Sequence, residues 1–146
     1  MDASAVVVQH IRALREPNVH AYMPVLEIEL AIGAFDEWSS TECATMPDRL
    51  LAWLPGLQEY RCSVGRPGGF IERLRRGTYL PHIAEHLTRE LQSLMGFEVG
   101  FGRARSTGML GHYRVVIAYQ EKTPARAAFA VTLRLTIATL LDAPFN

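Results

Sequence analysis

The residues of this chain whose types and spacing are best suited to chemistry are His82-Ile83-Ala84-Glu85-His86. On a helix, positions four apart share one face and stand about 6 Å apart along the axis, so both imidazoles can aim a ring nitrogen at one metal ion. The carboxylate beside the second histidine then sits where a base could take a proton from metal-bound water. This His-x-x-Glu-His order is the inverted zincin arrangement, with Glu85 as general base and the ion supplying hydroxide near neutral pH. Zinc (Zn2+) suits two imidazoles and a carboxylate, although Co, Mn and Ni take similar donors. The bland alternative is a pair of surface or capping histidines on an ordinary amphipathic helix. Economy favours the site, because two of the chain's five histidines occupy this spacing with a carboxylate in place.

A single helix does not easily supply a third ligand. Glu90 lies roughly 12 Å along the axis from His82, a long reach for one small ion. Glu72 is the better candidate if the helices on either side of Arg76-Gly77-Thr78-Tyr79 pack as a hairpin and face each other. Arg103 and Arg105 fall in the Gly-rich stretch from Gly96 to Gly111, expected to be a loop, where guanidinium groups could clamp a substrate carboxylate or steady an oxyanion. Glu27 and Glu29 would share the exposed face of a strand and suit cationic side chains. His112, with no partner in sequence, is expected to be structural. Cys43 and Cys62 match neither a redox pair nor a zinc module and are expected to be reduced packing residues, a reactive thiol being the alternative.

These residues need a scaffold to hold them. Pro24 to Ile32 alternates, with Leu26, Ile28, Leu30 and Ile32 on one face of a half-buried strand. A preceding strand is expected over Ala5 to Leu14, ending at Arg15-Glu16-Pro17-Asn18. A short helix over Asp48 to Trp53 follows Pro47 and stops at Pro55-Gly56, and another over Phe70 to Arg76 is closed by Gly77. The strongest helix runs from Thr78 to Met95, with Thr78 as N-cap and Pro81 in the first turn. Its apolar stripe is Ile83, Leu87, Leu91 and Leu94, which puts His82, Glu85, His86 and Glu90 on a sector facing away from the core. Tyr113 to Tyr119 has strand composition, and Thr123-Pro124 opens a long apolar helix to about Leu141. The expected fold class is α+β: one domain over residues 1–146, a small, mostly antiparallel sheet packed with helices, one of them the metal-binding helix.

The whole-chain figures narrow the function classes. Hydrophobic residues make up 49% and charged residues 21%, the profile of a globular chain with a core of its own. Lys+Arg and Asp+Glu are 15 each, which removes the generic electrostatic case for nucleic acid. Met1-Asp2-Ala3-Ser4 is not the start of a signal peptide and no apolar run reaches membrane-spanning length, so the expectation is a cytoplasmic protein. A homo-oligomer is compatible with the sequence.

From Arg61 onward the chain resembles the N-terminal domain of cyanophycin synthetase. The resemblance is carried by Cys62-Ser63, Gly68-Gly69-Phe70, Glu72-Arg73, Gly77-Thr78, His82, Glu85-His86, Glu90-Leu91-Gln92, Gly96 and Gly100-Phe101-Gly102-Arg103 with Arg105, and earlier by Leu14-Arg15-x-Pro17-Asn18. Pro81 stands where that family usually has Gly. In the family this domain precedes an ATP-grasp ligase domain and a Mur-ligase-like domain, which together build poly-aspartate with arginine on each β-carboxyl. The resemblance implies polymer binding and, in some members, a metallopeptidase-like site at the positions of His82, Glu85 and His86. The leading expectation is therefore a zinc-dependent, cyanophycinase-type hydrolase of cyanophycin or a similar Asp/Arg polymer. Its alternative is a non-catalytic anchoring module, or the N-terminal domain of a synthetase.

Overall fold

The computed structural model describes residues 3–62 and 65–146; Met1, Asp2 and Ser63, named above, lie outside that range. Its sheet is built around the alternating segment. Strand β2, Val25–Ala31, turns Leu26, Ile28 and Leu30 into the core, where each is fully buried. Burying one such side chain stabilises the fold by about 1.5–3 kcal/mol. Strand β1, Val7–Leu14, pairs with one edge of β2, and β4, His112–Ala118, pairs with the other. A short strand, β3, Gly102–Ser106, completes an all-antiparallel sheet in the order β1-β2-β4-β3.

β3 corrects the expected loop between Gly96 and Gly111. Its sequence is Gly-Arg-Ala-Arg-Ser, so the alternation sets charge against very small side chains and carries no apolar signal.

Four helices accompany the sheet: α1, Met46–Trp53; α2, Gly69–Arg76; α3, Leu80–Leu94; and α4, Lys122–Leu140. α3 and α4 pack on one face, and Thr88 Oγ1 lies 2.7 Å from Thr132 Oγ1 between them. The buried threonines of α4 are satisfied within the helix, since Thr132, Thr136 and Thr139 donate to the carbonyls of Ala128, Thr132 and Leu135. Polar residues thus occupy a buried helix without an orphaned hydroxyl.

A second layer lies over α3. α1, a 3-10 turn at Pro55–Glu59 and α2 bring Leu50, Leu57, Phe70 and Leu74 into the common core. This layer overturns the expectation that the polar sector of α3 faces away from the core. Glu85, His86 and Glu90 are buried, whereas Leu94, placed on the apolar stripe, is 59% exposed. Thr78 is not the cap either: Tyr79 holds that position, and no side chain caps the helix. Among the described residues no helix is long and apolar enough to cross a membrane.

The opposite sheet face carries a charge network. Arg12 Nε donates to Glu27 Oε1 at 2.7 Å, and His20 Nε2 lies 2.6 Å from Glu27 Oε2. Arg103 Nη2 reaches the other nitrogen of His20 at 3.3 Å, which fits a ring protonated on Nε2. Burial pushes the Glu27 carboxyl up, but the bonds and charges of His20 and Arg12 outweigh it and leave its pKa below the ordinary carboxylate range. Glu27 was expected to be exposed. It is buried because the segment bearing His20 folds over it.

Candidate functional site

At about 100° per residue, positions 82, 85, 86 and 89 of α3 fall on one sector. It faces a cavity of about 870 Å³ whose wall is completed by the segment Glu59–Cys62, by Arg73 and by β3. Thr78 Oγ1 lies 2.8 Å from His82 Nδ1 and so directs Nε2 outward, 3.2 Å from Cys62 Sγ. His86 Nδ1 is 3.2 Å from the His82 carbonyl, which leaves its Nε2 as the ring nitrogen open to a ligand. The His86 ring stacks on Phe70, centroids 4.4 Å apart and planes within 5°. One donor atom from each of Cys62, His82 and His86 then falls within 4.8 Å of the other two. Both imidazoles are oriented by hydrogen bonds at the nitrogen that does not face the cluster, the arrangement that tunes histidine ligands.

Cys62 is thus not a packing residue like Cys43, which is buried. Its backbone is left-handed (φ 51°), uncommon for a residue with a Cβ. No spacing rule could reveal it, because the 20-residue gap to His82 closes only through the fold.

Glu72 and Glu90, the expected third-ligand candidates, are placed elsewhere. Glu72 lies roughly 200° round α2 from Phe70, so when Phe70 faces His86 the carboxylate points outward. There it pairs with Arg66 at 2.7 Å and Arg76 at 3.3 Å. Phe70 of α2 does reach His82 and His86 across the Gly77 turn, but the inward residues of α2 are Phe70, Arg73 and Leu74. Glu90 is buried against the turn at Gly56, where an added Cβ would come within 2.0 Å of its Oε2. Burial pushes its pKa up, partly offset by a hydrogen bond with Tyr60.

Glu85 is 1% exposed and lies beneath β3. Its Oε2 is 2.9 Å from His86 Nδ1 and 3.7 Å from Arg89 Nη1. Neither contact is a well-directed hydrogen bond, since the His86 nitrogen points to the His82 carbonyl and Glu85 Oε2 has no hydrogen-bond partner. Burial alone would lower the His86 pKa, but the Cys62 bond and the contact and charge of Glu85 outweigh it and hold the imidazole at about 9, so an ion taking Nε2 would displace a proton.

Gly102 makes this packing possible. An added Cβ would lie 2.8 Å from both Glu85 Cδ and Arg89 Cδ. Gly102→Ala should therefore destabilise the domain by about 1–3 kcal/mol, read as a lower midpoint in chemical denaturation. An unchanged midpoint would show that the helix and strand separate at no cost.

The cavity is cationic. Arg61, Arg73, Arg89, Arg103 and Arg105 line it against Glu59 and Glu85. Sequence reasoning missed Arg89, although it lies one turn beyond Glu85 on the same sector; its guanidinium sits 5.1 Å over the Tyr60 ring. Arg103 and Arg105 also line a smaller cavity with His20 and Arg114. Glu29 lies on the sheet's charged face, its Oε1 taken by Arg114 Nε at 2.8 Å. His112 pairs with Gln9 at 3.3 Å and opens β4.

A sequence model of the cyanophycin synthase-like N-terminal domain matches residues 27–141. Among curated proteins, the cyanophycin synthetase of Trichormus variabilis is 39% identical over 127 residues, 86% of this chain. Those of Crocosphaera subtropica and a Synechocystis species are 45% and 46% identical, each over 84% of it. The chain spans about 14% of the length of each of these relatives. They are named for making the polymer. That corrects the expectation, drawn from the His82–His86 motif together with the resemblance, of a zinc metallopeptidase-like hydrolase acting in cyanophycin degradation. The chain belongs to the cyanophycin synthase-like N-terminal domain family.

Proposed function

We propose that this domain is a polymer-holding module of the synthetase type, binding cyanophycin or a closely similar Asp/Arg polymer without cutting it. The observation that carries this reading is the arginine-lined cavity, continuous through Arg103 and Arg105 with the charged sheet face. Each unit of such a polymer offers one carboxylate and one guanidinium, so it needs both signs of charge. Guanidinium groups of the protein take carboxylates in two-point fashion, and Glu59 and Glu29 are the acidic groups beside them.

The donor set of Cys62, His82 and His86 fits zinc: a soft sulfur and two imidazoles, each ring already oriented by a hydrogen bond at Nδ1. We propose that these three residues hold the ion. When bound, it would add positive charge at the cavity wall for a ligand carboxylate. Glu85, buried behind His86, balances that charge.

The test is calorimetric titration of the chain with soluble cyanophycin fragments, followed by sizing of the polymer. The expected result is saturable binding that weakens as salt rises, because the contacts are charged, with polymer length unchanged. Absence of binding at low salt would overturn the reading.

A further inference from the structure

β3 ends the sheet, and the cavity runs along it, with consecutive residues Phe101 to Arg105 in its wall. In an antiparallel pair, residues that exchange hydrogen bonds alternate with residues that do not. Ala118 N donates to Phe101 O at 2.9 Å, and Gly102 and Ala104 stand opposite Ile117 and Val115. The alternation thus commits Phe101, Arg103 and Arg105 to β4. It leaves the N–H and C=O groups of Gly102 and Ala104 directed outward, along an edge where the side chains are a hydrogen and a methyl. Arg103 and Arg105 occupy the intervening positions, and Arg61, Arg73 and Arg89 line the same cavity.

We infer that this edge accepts the extended poly-aspartate main chain of the polymer as an additional strand, with Gly102 and Ala104 exchanging hydrogen bonds with it and the arginines taking the free carboxylates of its side branches. Strand addition of this kind takes affinity from main-chain bonds and selectivity from alternate side chains. A second copy of this chain is the wrong occupant. Its own β3 would bring Arg103 and Arg105 against the same arginines, and charges on an edge discourage such pairing. With each β-carboxyl amide-linked to arginine, the free carboxylate of each unit is that arginine's own, a few bonds from the main chain and within reach of guanidinium groups on long side chains. The inference rests on the polymer-binding reading and specifies how the chain is held.

The test uses two synthetic probes and the intact protein: a short oligo-aspartate bearing arginine on its β-carboxyls, and the same oligomer methylated at every second main-chain nitrogen. The methylated probe should bind roughly tenfold more weakly or worse, since two or more main-chain bonds are lost. Amide hydrogen exchange at Gly102 and Ala104 should slow when the unmodified probe is added. Ala104→Pro should reproduce the weakening, because it removes an outward N–H and no ladder bond. Equal affinity for both probes, with no protection of those amides, would overturn strand addition and leave side-chain binding of the polymer intact. Failure of both probes to bind would overturn the polymer-binding reading and this inference with it. Concentration-dependent protection of the same amides without probe would identify a second copy as the occupant and overturn the inference.

Discussion

Cys62→Ala should strip the domain of zinc while leaving it folded. Cys62 is one of three donors in the cluster, and its thiolate is the only anionic one; two imidazoles on a helix turn bind zinc far more weakly than a closed set that includes sulfur. The side chain is partly exposed at the cavity wall, so truncation leaves no large void in the core. Purified without a histidine tag, the native chain should carry near-stoichiometric zinc by mass spectrometry, and Cys62→Ala should carry essentially none, with an unchanged circular dichroism spectrum. Thr78→Val tests the orienting bond to His82 Nδ1 and should weaken zinc binding by about 10–100-fold. Glu72→Gln separates the two accounts of the third donor. Because Arg66 and Arg76 already hold that carboxylate on the outer face of α2, zinc content should not change. A Cys62→Ala chain that binds zinc as tightly as the native one would sink the assignment, and loss of zinc in Glu72→Gln would restore the carboxylate ligand.

How the sequence foreshadowed this site depends on which contacts are local. α3 is legible because His82, Glu85, His86 and the apolar stripe repeat with the helical period, and Pro81 marks its first turn. β2 is legible for the same reason at period two, and β4 from its β-branched and aromatic composition. The burial of α3's polar sector was not, since it depends on the Pro55–Glu59 turn and on α2 folding over the helix, contacts made at long sequence separation. Cys62 was passed over on that account. β3 was misread because Arg103 and Arg105 alternate with Gly102 and Ala104, a pattern with no hydrophobic face. Glu72 was misplaced by sequence distance from the Gly77 turn, where angular position on α2 decides which residue faces His86. The resemblance named the family; the relatives' biosynthetic names, and no residue of the motif, separate the synthetase reading from the hydrolase one.

The remaining large effect concerns the polymer. Reversing two charges, in an Arg103→Glu, Arg105→Glu double variant, should abolish binding of cyanophycin fragments at physiological salt. Both side chains stand on the edge strand and line the cavity as well as the adjoining groove. A charge-assisted bond to a carboxylate contributes about 1.5–3 kcal/mol, so losing two corresponds to roughly 100-fold or more, before the repulsion that the new carboxylates add. The fold should survive. Arg105 is exposed, and the contacts Arg103 would lose, a part-buried one to His20 at 3.3 Å and one over the Phe101 ring at 5.4 Å, lie outside the apolar core. Neutral Arg103→Gln, Arg105→Gln distinguishes attraction from repulsion: it should retain weak binding whose salt dependence is shallower than that of the native chain, because fewer ion pairs form. Zinc content should be the same in all three proteins, since the imidazoles of His82 and His86 are oriented by Thr78 and by the His82 carbonyl. Native affinity in the double Glu variant would place the polymer elsewhere on the molecule and would remove the cavity's cations from the binding argument.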